Sequence, residues 1–242
     1  MDQGSGEAHK RKSEDNEYVG AALGQPPEHY DLAVKGVADI AQVNLSFTAS
    51  RFPLTSVMEL PFLAPDVKDS SNAFWQLYTK FPAVQQEFKD VKVVALFTND
   101  PMQICTKSKP VRSLEDLKGM KIRVGDKVTA EAFKLLGANP IFMSITDVYF
   151  ALDRGTIDGA MYTLEAVRGF KLAEVTKYCT VANFNCLRFA VVMNLAKWNS
   201  LPKDVQKLMG EELAGQYLVD LAVKGYEADS AGGLKALKDA GC

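Results

Sequence analysis

The chain has 242 residues, 47% of them hydrophobic, and a formal net charge of −2. That apolar content suffices for a large core in one big or two modest domains. The near-neutral charge, with no long Lys/Arg cluster in the part expected to fold, excludes the basic face that nucleic-acid binding needs, and the lack of any run of about 18 apolar residues excludes a membrane-spanning helix.

Residues 1–19 open with MDQGSGEAHKRKSEDNEY. They are polar and charged, with neither the apolar stretch nor the small-residue cleavage site of a secretory signal peptide, and they read as a disordered lead. Beyond them helical and extended signals alternate. A helix is predicted near Glu28 to Gly36, a strand at Ala38 to Val43, helices around Ser70 to Lys89, and a strand at Val91 to Leu96. Such alternation argues for an α/β fold with a central parallel sheet.

The stretch from Ser113 to Gly159 is the most informative. Ser113 with Asp116 has the form of a capping box, predicting a short helix over Asp116 to Gly119 closed by the glycine. In the strand Met120 to Val124, Met120, Ile122 and Val124 share one face, and Lys121 and Arg123 the other. Arg123 thus sits near the carboxyl end of an apolar strand, ahead of a turn at Gly125-Asp126 and a helix over about Thr129 to Leu136. Ligands bind at that end of open α/β sheets, and a lone inward cation asks for an anion; a solvated or salt-bridged surface arginine is the plainer reading. Ser144 caps a second short helix, Asp147 to Asp153, and Thr156 to Gly159 begins another strand or turn. Leu187 to Met193 reads as a buried strand, and Leu201-Pro202 opens a long helix to about Tyr226.

Catalytic signals are lacking. Four cysteines, Cys105, Cys179, Cys186 and Cys242, show no CxxC spacing and have only two histidines for company, so no metal site is expected. Cys179 and Cys186 fall on opposite faces of an extended segment, so a bond between them would need a turn around Asn183; an oxidising compartment would permit disulfides, and free thiols are the plainer reading. His9 lies in the polar lead and His29 at a helix start. Carboxylates such as Glu59, Asp158 and Glu165 have no nucleophile or histidine partner in a recognisable pattern, and no GxSxG, HExxH, Walker or GxGxxG motif occurs. Neither an enzyme nor a cofactor is expected.

Six motifs in order resemble one family. They are LGQPPEHYDLAVKGVADI (Leu23 to Ile40), SRFPLTSVMELPFL (Ser50 to Leu63), SLEDLKGMKIRV (Ser113 to Val124), LGANP (Leu136 to Pro140), DVYFALDRGTIDG (Asp147 to Gly159) and VVMNLAKWNSLP (Val191 to Pro202). From about Ala22 to Gly241 the chain resembles the DctP-type solute-binding proteins of tripartite ATP-independent periplasmic (TRAP) transporters. The resemblance implies a two-lobed, periplasmic-binding-protein-like α/β architecture with interleaved lobes and a ligand cleft between them. Residues 20–98 with 190–225 would form lobe I and 99–189 lobe II. Residues 226–242 would start an incomplete C-terminal element, the chain being truncated at both ends relative to the family.

The same resemblance makes Arg123 the bidentate partner of a substrate carboxylate, a geometry guanidinium supplies and lysine does not. Asn44 and Tyr162 match ligand-facing positions, with a turn residue and a core residue as their respective alternatives. Gln103 stands where some sugar-acid-binding members carry a second arginine, which points to a monocarboxylate: a keto, hydroxy or aromatic acid. The implied protein is periplasmic and monomeric, and it delivers its ligand to TRAP membrane subunits driven by an ion gradient. An α/β enzyme using Cys105 or Cys186, a sensor-linked binding protein and a truncated remnant are the other readings.

Overall fold

Burial on both faces of the strand Val91–Thr98 (β2) organises the first half of the computed structural model, which describes residues 16–242. Of the expected lead, residues 1–15 lie outside the described residues. Before β2 come α1 (His29–Val34), β1 (Ile40–Asn44), α2 (Val67–Lys80) and α3 (Pro82–Gln86). Asp66 caps α2 by accepting the Asp69 N–H at 2.8 Å, and Val67, Ser70, Ser71 and Phe74 form its buried stripe.

The chain then leaves this lobe and builds a second one from β3 (Gln103–Thr106), β4 (Lys121–Val124), α4 (Lys127–Leu135), β5 (Asn139–Phe142), α5 (Val148–Asp153), β6 (Gly159–Tyr162), α6 (Ala166–Gly169) and β7 (Tyr178–Thr180). It returns through β8 (Arg188–Asn194), α7 (Leu195–Ser200), α8 (Lys203–Glu211) and α9 (Gln216–Asp239). The first sheet has the order β1-β8-β2 and the second β5-β4-β6-β3-β7.

Only part of the parallel sheet expected from sequence is present. In the second lobe β4 runs parallel to β5 and β6, whereas β3 pairs antiparallel with β6 and β7. In the first lobe both neighbours of β8 are antiparallel to it. Interleaving is the cause: β8 arrives from the other lobe, so it enters the sheet in the direction opposite to β2, which left.

Two further expectations are corrected. The long helix predicted from Pro202 to Tyr226 breaks at Gly215, which has φ +61° and donates its N–H to the Val94 carbonyl at 2.7 Å. A Cβ there would come within 2.9 Å of the Trp75 ring. Residues 226–239 are not a new element but the second half of α9. Its first half packs Val219 and Val223 against Val67, Ala95 and Phe97, and its second half brings Leu237 into the core of the other lobe. Secondly, Cys105 and Cys179, expected as free thiols, stand opposite each other in β3 and β7 and are joined as a disulfide; Cys186 and Cys242 are free. Their separation of 74 residues hid the pairing, which only the β3–β7 register reveals.

Candidate ligand-binding cleft

Arg123 sits in register with Ile141 of β5 on one side and Ala160 of β6 on the other. One carbonyl just past the end of β5 and one within β6 hold its guanidinium. Nε donates to Met143 O at 2.9 Å and Nη1 to Met161 O at 2.8 Å, and the residue is 4% exposed. Burial lowers its pKa to about 10, with Asp126 and Asp147 pulling it back up, so the cation is held where its charge is costly.

A guanidinium has five N–H donors, and these bonds use two. Nη2 has no hydrogen-bond partner among the described residues, yet it is not sealed from solvent. One Nη1–H and both Nη2–H groups therefore remain for an incoming carboxylate, in the fork that binds it end-on. Gly125 keeps the approach open, because a Cβ there would lie 3.4 Å from Nη2 and 3.5 Å from Nη1.

Arg123 opens into a cavity of about 1160 Å³ between the two sheets. Among the described residues no other arginine or lysine lines it. Much of the wall is apolar: Phe47, Met102, Phe170, Leu187 and Phe189.

The other expected site residues divide. Asn44, at the end of β1, lines the cavity; its Oδ1 accepts the Ser46 N–H at 3.0 Å, while its Nδ2 has no partner among the described residues. The turn role and the cleft position thus coexist in one side chain. Tyr162 also reaches the cavity wall, but its ring belongs to the core of the second lobe and its hydroxyl lies 2.6 Å from Thr176 Oγ1. It shapes the wall instead of offering a free hydroxyl. Gln103 does not line the cavity. Its Nε2 donates to Pro101 O at 2.9 Å and Asn183 Oδ1 at 2.8 Å, and its Oε1 accepts the Asn183 N–H at 3.0 Å, so the amide is spent on a neighbouring turn.

Sequence reasoning missed two wall residues, Asn99 and Met102, on the segment that leaves the first lobe. It also missed a buried ion pair at the other crossing. Arg188 Nε donates to Glu59 Oε1 at 2.8 Å, with Arg188 0% and Glu59 1% exposed. Nη1 donates to Phe52 O and Thr55 Oγ1, and Ser46 Oγ donates to the same Glu59 oxygen. Glu59 stood out only as part of the MELPF motif, and nothing local marked Arg188 as its partner.

The family profile for bacterial extracellular solute-binding proteins, family 7 (DctP), matches residues 16–242. The chain belongs to this family. It is 30% identical over 188 residues to the 2,3-diketo-L-gulonate-binding periplasmic protein YiaO of Escherichia coli, covering 75% of this chain and 56% of the relative. It is also 30% identical over 186 residues to the C4-dicarboxylate-binding periplasmic protein DctP of Rhodobacter capsulatus, covering 76% and 55%. This chain thus spans little more than half the length of either.

A TRAP solute-binding protein from a marine metagenome, specific for aromatic acid ligands and crystallised with metahydroxyphenylacetate, superposes with a TM-score of 0.84 at 32% identity. The match covers 90% of this chain and 69% of that one. The two-lobed α/β architecture is therefore that of the TRAP solute-binding proteins of family 7. No helix of the described residues is long and apolar enough to cross a membrane.

Proposed function

We propose that this chain is the extracytoplasmic, periplasmic solute-binding component of a TRAP transporter, which captures a small organic carboxylate by closing two lobes over it. Residues 20–98 with 190–225 act as one lobe and 99–189 as the other, with α9 bridging them. The carrying observation is Arg123, buried in the cavity wall, anchored by two carbonyls and left with donors to spare. A carboxylate docked there regains in paired hydrogen bonds what it loses in hydration. With no second arginine or lysine among the described lining residues, the ligand is a monocarboxylate: a keto, hydroxy or aromatic acid. Asn44 offers its free amide nitrogen to the ligand, and the Tyr162 ring flanks it.

The loaded protein, a monomer, then meets membrane subunits that use an ion gradient. An enzyme working through cysteine is disfavoured by chemistry, since Cys105 is tied in a disulfide and burial pushes the Cys186 thiol up to about 11, against thiolate formation.

Thermal melts against a library of mono- and dicarboxylates, with Arg123→Met alongside, test this reading. Ligand at about 100 times Kd adds about 2.7 kcal/mol, a rise of roughly 5 to 10 °C. Leaving the ligand charge unpaired in Arg123→Met removes about 3–5 kcal/mol of binding, at least a hundredfold. A carboxylate response retained in full by Arg123→Met would refute the assignment.

A further inference from the structure

The cavity has a second charged pole. Glu165 lies on the loop between β6 and α6, three residues past the end of β6, and lines the same cavity as Arg123. The two do not neutralise each other. Arg123 senses Asp126 and Asp147, whereas Glu165 senses Asp100 and Asp229. Three carboxylates line the cavity: Asp39 is already paired with Lys197 at 2.9 Å, whereas Glu165, beside α6, and Glu17, at the start of the described residues, form no salt bridge among the described residues. Burial pushes the Glu165 carboxyl up, against the pull of the Thr163 side chain, and Asp100 and Asp229 add to the rise.

A cavity with a cation at one place, a carboxyl without a salt-bridge partner at another and much apolar wall suits a particular kind of molecule. Its carboxylate meets Arg123, its body fills the apolar space, and a donor on its far end meets Glu165. A second carboxylate finds no cation there and faces a like charge, a repulsive means of selection.

Resting on the reading of Arg123 as the carboxylate anchor, we propose that Glu165 is the specificity-determining contact: it accepts a hydrogen bond from a hydroxyl or ammonium on an otherwise apolar monocarboxylate and turns dicarboxylates away.

Calorimetric titration of the full chain with two matched sets tests this. One set is butyrate, 4-hydroxybutyrate, 4-aminobutyrate and succinate. The other is phenylacetate, 3-hydroxyphenylacetate, 3-(aminomethyl)phenylacetate and 3-carboxyphenylacetate. In at least one set the donor-bearing acids are expected to bind about tenfold tighter than the parent, the worth of one charge-assisted hydrogen bond, and the diacid more weakly than the parent. Glu165→Gln should shrink the donor advantage and admit the diacid. Glu165→Asp, which withdraws the carboxylate by one methylene, should lose the donor advantage and still reject the diacid; melting curves confirm that both variants fold.

An unchanged ranking in both variants, with all binding lost in Arg123→Met, would overturn the role of Glu165 and leave Arg123 standing. If the unmodified chain bound neither set, or Arg123→Met bound as well as it does, the anchor assignment would fail and this proposal with it.

Discussion

Asn99 and Leu187 clasp the two crossings between the lobes: the Leu187 N–H donates to Asn99 Oδ1 at 2.7 Å, and the Asn99 N–H donates to the Leu187 carbonyl at 3.2 Å. The pairing continues outward, with Met102 N–H on Asn185 O at 2.8 Å and Phe184 N–H on Met102 O at 3.0 Å. Asn99, Met102 and Leu187 also line the cavity. The connection between the lobes is therefore part of the cleft wall, and a ligand that touches it bears on the angle between them.

Replacing Asn99 by alanine strands the buried Leu187 N–H. The expected loss is about 1–3 kcal/mol, the desolvation cost of one orphaned donor. Asn99→Asp keeps the acceptor and should recover much of it. Denaturant unfolding of both variants measures the difference; equal stability of the alanine variant and the parent would show that this clasp contributes nothing.

Local signals carried the helix starts and the Arg123 strand, because a capping residue and a two-residue alternation are complete within a few positions. The Ser113–Asp116 capping box is present, but it opens a 3-10 turn over Leu114–Leu117 instead of a helix over Asp116 to Gly119, and α4 begins at Lys127, two residues ahead of the expected Thr129. What sequence concealed depends on partners far along the chain. Arg188 meets Glu59 across 129 positions, and Gln103 is claimed by Asn183 across 80. The break ahead of α9 is a third case: Gly215 needs its positive φ to pass under Trp75, a contact that no local pattern reports.

Gly125 offers a way to close the site without touching the guanidinium. Its φ is not in the left-handed region and a methyl there would make ordinary contacts, so a side chain at this position is not strained by its backbone. Gly125→Val places its branches in the space in front of Nη1 and Nη2. The variant is expected to keep its melting temperature within about 5 °C and to lose carboxylate binding at least tenfold. Full retention of binding would mean that the carboxylate approaches from elsewhere.

Glu59 and Arg188 form a buried pair whose removal from one side leaves an uncompensated charge. Glu59→Ala should destabilise the protein by about 3–5 kcal/mol, while a double replacement, Glu59→Gln with Arg188→Met, should lose less than the single change because no charge is then stranded. Arg188 Nη2 has no partner among the described residues even now, which adds to the benefit of removing it. Chemical denaturation of the three proteins decides; a double variant weaker than Glu59→Ala would contradict this account of the pair.

Asp100 is next to Asn99 in the segment that leaves the first lobe, and Ser230 Oγ of α9 donates to its Oδ2, linking the crossing to the bridging helix. Burial pushes its carboxyl up from 3.8 to about 6, with Glu227 and Asp66 adding repulsion. Between these two values the folded protein holds a proton that the unfolded chain has released, so stability from this group is full below about pH 4 and is lost as pH rises through about 6. Asp100→Asn supplies the neutral form at every pH. It should raise the melting temperature at pH 7.5 and change it little at pH 4, so the difference between variant and parent grows as pH rises. Melts of both proteins from pH 4 to 8 measure that difference, and one that stayed flat across the range would show that Asp100 is ionised in the folded state at no cost.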